Sequence, residues 1–364
     1  MAVPWGHIAA KAWGSQKGSP ILCLHGWLDN ANSFDRLIPL LPRDFYYVAM
    51  DFGGHGLSSH YSPGLPYYYQ NFVGEIRRVS AGGTVGGMFS CMFPEMVEKL
   101  ILLDSSPFVL DSNELENLLT YKRKVIEHTL LVEQAAQEPS RALSPEEMLQ
   151  RFLKNNSHVG EECGELLLQR GATPVPAGKA LTARPAGQHA SCCSREASGL
   201  LSCIAFQELQ KPEVKGLQQD PQGPGPLRLQ MPTLGCHLYS AQLAKKKTDP
   251  RVRMRNDSLW LLPLQPEHAF DFISKELCAH AIKKLQAHVL LIKATDGFFD
   301  VRREYDADKG LILFMTDQLK SALGERFQFV EIPGNHYVHM NQPDHVASII
   351  GSFLQDRNRI PAQR

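Results

Sequence analysis

Short apolar runs that each close on a turn or an acidic residue restrict the folds open to this chain more than any other feature. Ile21-Leu22-Cys23-Leu24 ends in His25-Gly26, and Tyr46–Met50 ends at Asp51, just before the glycine-rich turn Gly53-Gly54-His55-Gly56. Leu100–Leu103 closes on Asp104. His288–Lys293 and Phe327–Ile332 follow near the C-terminal end, the second leading into Pro333-Gly334-Asn335-His336. Brief apolar runs bounded by turn signals suit strands covered on both faces. The segments between them carry helical spacing. Phe34, Leu37, Ile38 and Leu41 share a face over Ser33–Leu41, as do Phe72, Ile76 and Val79 over Tyr67–Val79. A further helix is expected from Thr84 to Phe93, where Pro94 stops it. Phe270–Leu285, Gly310–Leu323 and His345–Leu354 complete the set, the last with Val346, Ile349, Ile350 and Phe353 inward. Strand and helix in alternation predict an α/β fold: a mostly parallel sheet flanked by crossover helices.

The pattern breaks twice. From Asn113 to Gln169 the periodicity is helical throughout, and Asn113–Ala136, Pro145–Lys154 and Glu161–Gln169 read as three helices lying outside the sheet. Residues 171–266 hold eleven of the 24 prolines and four of the eight cysteines, and no hydrophobic period lasts there. Pro and Gly interrupt both kinds of backbone ladder, so this block is expected to be a low-order, disordered insertion, with Lys245-Lys246-Lys247 a solvated stretch. The chain thus divides into an N-terminal core part (1–112), a helical segment (113–170), the insertion (171–266) and a C-terminal core part (267–364). No internal repeat is present.

Composition excludes several function classes. With 38 basic and 38 acidic side chains the formal charge is zero, which argues against nucleic acid or an anionic membrane held by bulk charge. No apolar run is long enough to span a bilayer, and Met1–Ser19 lacks the basic start and apolar block of a secretory signal. Irregularly spaced cysteines read as cytosolic-type thiols, and Pro361-Ala362-Gln363-Arg364 is no peroxisomal or endoplasmic-reticulum address. A cytoplasmic protein is expected. His189, Cys192, Cys193 and Cys203 lack the two-residue gap and second pair of a zinc site. Neither metal nor cofactor is expected.

Three turns at strand ends carry the chemistry. His25-Gly26-Trp27 alone reads as a turn after a strand. Asp51-Phe52-Gly53-Gly54-His55-Gly56-Leu57-Ser58 is more specific, but it lacks the Lys-Ser/Thr ending of a phosphate loop. Gly334-Asn335-His336-Tyr337-Val338-His339 places a histidine where it can reach a reacting group at the sheet edge. In this order the three resemble the α/β-hydrolase superfamily, and the likeness is greatest to its serine hydrolase-like branch, over roughly residues 3–182 and 268–362. The resemblance implies a Ser-acid-His triad, with a helical cap over an apolar chamber for a small ester-like substrate. It assigns the base to His336 and an oxyanion N–H to Trp27. For the acid it offers Asp296 and Asp300 after the strand His288–Lys293. Asp300 is favoured by Gly297-Phe298-Phe299-Asp300, because members of the branch carry a Gly-aromatic-Phe-Asp stretch there. Asp104 is the other position at which this superfamily carries its acid, although the plainer reading of Asp104 is a strand-end carboxylate capping a nearby loop. The resemblance also associates such proteins with peroxisomes or perinuclear vesicles.

The nucleophile departs from the family pattern. No Gly-x-Ser-x-Gly occurs between Asp51 and Met88; Arg78-Val79-Ser80-Ala81-Gly82-Gly83 stands at that place, with Ser80 on the nucleophile position and Arg78 where a glycine belongs. Only 28 residues separate Asp51 from Ser80, and a loop plus the Tyr67–Val79 helix consume nearly all of them. The central strand before the nucleophile is therefore expected to be missing, which leaves two sheet edges to be covered. A missing block, and an unrelated one after Thr182 with matching sequence resuming near Phe270, are joins of the kind that an alternative exon choice or a gene-model error produces. Two functions compete: hydrolysis of an ester or related carbonyl through an acyl-enzyme, and an inactive or unstable form of the same fold with at most a binding role. An epoxide- or halide-cleaving relative needs an Asp nucleophile, and none lies between Asp51 and Asp104.

Overall fold

The computed structural model describes residues 1–26, 29–61, 69–79, 86–108, 110, 116–120, 122–124, 126–127, 130, 143–174, 204–209, 252–254, 273–297 and 309–356. Strands β1 (Ala2–Val3) and β2 (Gly6–His7) form a small hairpin ahead of β3 (Ala10–Trp13), β4 (Ser19–Leu24) and β5 (Phe45–Met50). Helices α1 (Tyr69–Val79) and α2 (Gly86–Met92) precede β6 (Val97–Leu103). Next come α3 (Pro145–Asn155), α4 (Glu161–Gly171) and the strands β7 (Ala172–Pro174), β8 (Ile204–Leu209) and β9 (Val252–Met254). The chain continues through α5 (Lys275–Ile282), β10 (His288–Asp296), α6 (Gly310–Leu323), β11 (Phe327–Asn335), α7 (Val338–Asn341) and α8 (Pro343–Gln355).

Seven strands form one sheet in the order β11-β10-β6-β8-β4-β5-β3. β10 runs parallel to β11 and β6, and β4 runs parallel to β5. The edge strand β3, which the sequence reading did not anticipate, pairs antiparallel with β5. Side chains alternate between two cores as the strand period requires. Leu22, Leu24, Leu100, Leu102, Val289 and Leu291 join Phe72, Ile76, Phe89, Ile282, Met315 and Leu319 on one face. Ile21, Cys23, Ile101, Leu103, Leu290 and Ile292 pack with Phe34, Leu37, Val346, Ile350 and Phe353 on the other. Lys99, buried within β6, donates to the Leu354 carbonyl at 2.7 Å and so ties the strand to the end of α8.

Among the described residues, no parallel strand lies between β5 and β6 in the sequence. Its place between β4 and β6 is taken by β8, a strand from the proline-rich block, which pairs antiparallel with both neighbours. An open slot there would strand the ladder groups of two buried edges, and β8 satisfies both. Within that block β9 also pairs with β7.

Three local differences from the sequence reading have clear causes. Ser33–Leu41 is not one helix but two 3-10 turns, Ala31–Phe34 capped by the Asn30 side chain and Ile38–Leu40 opening at Pro39. The helix expected from Phe270 begins only at Lys275, because the Ser274 hydroxyl accepts the Leu277 N–H and Ile273 makes a parallel bridge to Leu110. β11 extends through Pro333 and Gly334 to Asn335, so His336 follows directly on a strand. α3 opens with a full capping box between Ser144 and Glu147. With α4 it forms a separate small core of Met148, Phe152, Cys163 and Leu167, which packs against Tyr337 and Met340 beside His336. No described helix is long and apolar enough to cross a membrane.

Candidate active site

The C-terminal ends of β4, β5, β6, β10 and β11 all reach the same edge of the sheet, the place where open α/β sheets bind ligands. At this edge the first two turns are structural. His25 is buried; its Nε2 accepts the Phe52 N–H at 3.1 Å and its Nδ1 meets the Gly26 carbonyl at 2.7 Å. Burial lowers its pKa to about 4, the Gly26 contact opposing and the Arg170 charge assisting. Both ring nitrogens are thus committed to fixing the loops after β4 and β5.

The glycine-rich turn after β5 winds round a carboxylate. Asp51 accepts the N–H groups of Ala31 and Leu57, each at 2.8 Å, and pairs with Arg170 of α4 at 2.7 Å. Gly56 has φ +49°, and a Cβ there would run into the Asp51 carboxylate, which accounts for that glycine without any phosphate ligand. Glu75 on α1 holds the same turn, accepting the Gly53 N–H at 2.8 Å and the Tyr61 hydroxyl. Burial raises the Glu75 pKa, while these two donors and the Arg78 charge act the other way.

The third turn brings two distant residues together. His336, buried after β11, places Nδ1 2.6 Å from Oδ2 of Asp104, itself buried at the end of β6. Asp104 has φ +43°, the sole non-glycine residue with positive φ among those described, and its N–H donates to the Ile292 carbonyl at 2.7 Å. Its Oδ1 accepts the Ala294 N–H at 2.9 Å and the Lys293 ammonium. Burial alone would lift the Asp104 carboxyl. The hydrogen bond and charge of His336, with the Lys293 ammonium, outweigh it and hold the group below the usual carboxylate value. A strained backbone under an ion-paired buried acid is the kind of local cost found at functional sites.

The α3–α4 pair closes over this edge. Asn30 and Asn32 donate through their side-chain amides to the carbonyls of Leu167 and Leu166, at 2.9 and 2.7 Å. His158, between the two helices, accepts the His336 N–H at 3.4 Å, and its carbonyl takes amide bonds from Asn335 and Asn341 at 3.0 and 2.9 Å. Asp29, buried in the loop after β4, accepts the Tyr337 hydroxyl at 3.0 Å. Burial pushes the Asp29 carboxyl up to about 7 against the pull of the Tyr337 and Ser33 hydroxyls. His339 is buried with Nε2 unpartnered, and burial, reinforced by the His336 charge and opposed by that of Asp104, lowers its pKa to about 3.

Of the residues singled out in the sequence, His336 and Asp104 are brought together. Asp296 is exposed at the end of β10. Ser80, Trp27 and Asp300 lie outside the described residues, as do His189, Cys192, Cys193 and Cys203. The described residues contain no cluster of ligating side chains that could hold a metal ion. In the sequence Lys293 closes a buried apolar run, and that position is its one signal of a buried charge. Asp29, Glu75 and His158 gave none, since each acts through contacts far away in the chain.

Comparison with known proteins agrees with this architecture. A family model described as the α/β hydrolase fold matches residues 19–77. A solved hypothetical protein from Pseudomonas aeruginosa PAO1 superposes with a TM-score of 0.61 at 18% identity, covering 97% of this chain and 98% of that one, and so shares the fold. The fold, with the strand ends converging at one sheet edge, is the α/β-hydrolase fold. The mouse serine hydrolase-like protein is 52% identical over all of this chain and 97% of its own length; human serine hydrolase-like protein 2 is 53% identical over all of this chain and 95% of its own. The chain belongs to the serine hydrolase-like proteins.

Proposed function

We propose that the chain hydrolyses an ester, thioester or related carbonyl of a small apolar molecule through an acyl-enzyme. The observation that carries this reading is the buried 2.6 Å contact between His336 Nδ1 and Asp104 Oδ2. With the Nδ1 proton donated to the carboxylate, the ring presents the Nε2 lone pair as proton acceptor. Ser80 attacks the carbonyl carbon and passes its hydroxyl proton to His336 Nε2. The Trp27 N–H stabilises the oxyanion, and His336 returns the proton to the leaving group. Water then repeats the sequence on the acyl-Ser80 ester and releases the acid. In this reading Asp104, rather than Asp300 or Asp296, orients the base, because it is the carboxylate seen on His336.

A second reading has its own support: β8 runs antiparallel in the slot where a parallel strand leads to the nucleophile in this superfamily. In that case the fold is retained without turnover, with at most a binding role. Fluorophosphonate labelling of the folded chain separates the two. Labelling lost in Ser80→Ala and in His336→Ala is the expected result. A cooperatively folded protein that does not label, or labelling indifferent to Ser80→Ala, overturns the first reading in favour of the second.

A further inference from the structure

Lys293 is nearly inaccessible, its side chain 3% exposed against 1% for its partner Asp104. It lies on β10 in the same alternating row as Val289 and Leu291, which sit in the apolar core on that face. A methionine or leucine would continue that row. An ammonium placed there forfeits its hydration and is retained only where an anion and good geometry compensate it. Asp104 supplies both. Its two carboxylate oxygens are divided between partners: Oδ1 takes the Lys293 ammonium and the Ala294 N–H, and Oδ2 takes His336 Nδ1. Gly297 closes the arrangement, since a Cβ at that position would overlap the Asp104 carboxylate.

We propose that Lys293 is a positioning residue of this site, whose ammonium fixes the Asp104 carboxylate with one oxygen turned to His336 and balances its negative charge. The assignment rests on the reading of His336 as the general base. An unbalanced buried carboxylate favours the imidazolium form of its partner, which cannot accept a proton. A second cation on the same carboxylate removes part of that bias while leaving the orienting hydrogen bond in place. Among the described residues, His339 on α7 is buried with its pKa lowered to about 3 and so is neutral near pH 7, and His158 of the α3–α4 connection meets the His336 backbone. Asp29 is engaged by the neighbouring Tyr337 hydroxyl.

The test uses the full chain with Lys293→Met, which keeps the bulk, and Lys293→Gln, which keeps a donor but loses the charge. The first readout does not need turnover: the low-field proton resonance of His336 Nδ1–H, assigned by its absence in His336→Gln. It is expected to shift in both variants. The second is the pH profile of fluorophosphonate labelling, whose acidic limb is expected to move up by about one pH unit in Lys293→Met. Folded variants with the resonance and the limb both unmoved overturn the assignment. If neither variant folds, the exchange of the Lys293 ammonium protons in the unmodified protein decides: slow exchange supports the buried pair, and free exchange overturns it. A protein that never labels but whose resonance shifts refutes the hydrolase reading and with it the catalytic sense of the role, leaving Lys293 as the ion-pair partner that holds Asp104 on His336.

Discussion

Asp29 offers a quantitative test of how the loop after β4 is held against the base. Its carboxyl is buried and its pKa lies at about 7, against an ordinary value of 3.8. The folded chain therefore binds this proton more tightly than the unfolded chain. Its contribution to stability is fully present below pH 3.8 and is lost as pH rises towards 7, with no further change above that. The gap corresponds to about 4 kcal/mol, at about 1.4 kcal/mol for each pH unit crossed. Asp29→Asn removes the titration and keeps an oxygen for the Tyr337 hydroxyl, so the variant should be free of this loss. In urea unfolding of both proteins from pH 5 to 8, the stability of the variant relative to the parent should climb by roughly 1.4 kcal/mol per unit up to pH 7 and then level off. Tyr337→Phe should carry the plateau to higher pH, because the lost donor is one of the groups that pull this pKa down. A difference between Asp29→Asn and parent that stays constant from pH 5 to 8 would refute the reasoning.

Two further outcomes follow from the same site and sheet. Asp104→Asn leaves the Lys293 ammonium buried without a counter-charge, and a broken buried pair of this kind costs about 3–5 kcal/mol, to be read as a fall in urea stability at pH 7. Because the Asp104 pKa is depressed, its stabilisation is present above the ordinary carboxylate value and lost as pH falls through the folded value, so parent and variant should converge in acid. Phe206→Pro removes a ladder donor at the centre of the sheet, where Phe206 pairs with Cys23 on one side and Ile101 on the other. Thermal unfolding should then show a loss of about 3 kcal/mol or more, whereas an unchanged transition would mean that β8 contributes nothing to the sheet.

The parallel strands were legible because they are covered on both faces, so each reads as an apolar run that no surface helix reproduces. Gly310–Leu323 emerged with the expected ends because its apolar stripe begins at a glycine and stops before another. The 3-10 turns at Ala31–Phe34 and Ile38–Leu40 were not legible, since their apolar spacing also fits an α-helix and only Pro39 argues against it. β8 was hidden for a different reason. Ile204-Ala205-Phe206-Gln207-Glu208-Leu209 has no decisive pattern of its own, and its state is set by two strand edges that need partners. In the site, the chemistry of His336 was visible from its turn, whereas Asp104 stood only as one of three candidate acids. Asp104 lies 232 residues away from it and 189 from Lys293, and no local signal records pairings of that span. Asp300, the acid favoured by the branch-specific stretch, lies outside the described residues.

The orientation of β8 constrains where a nucleophile can come from. Leu103 pairs with Ile204 and Leu24 with Ala205, so the start of β8 lies at the edge that holds His25, Asp104 and His336. Its final residue, Leu209, pairs with Val97 at the start of β6 and so lies at the far edge. A nucleophile elbow sits where a parallel strand gives way to a helix, which in this slot is the edge β8 leaves behind. β8 therefore fills the ladder but does not run into an elbow at that edge. The connection between Val79 and Gly86 joins α1 to a helix whose Phe89 packs in the same core as Leu100 and Leu102 of β6. Ser80 falls in that connection in the sequence and lies outside the described residues, among which no parallel strand leads towards it. Labelling that depends on Ser80 would thus show that the elbow can be held by its following helix and the turn clamped by Glu75. Its absence would show that the parallel strand is what makes the serine a nucleophile.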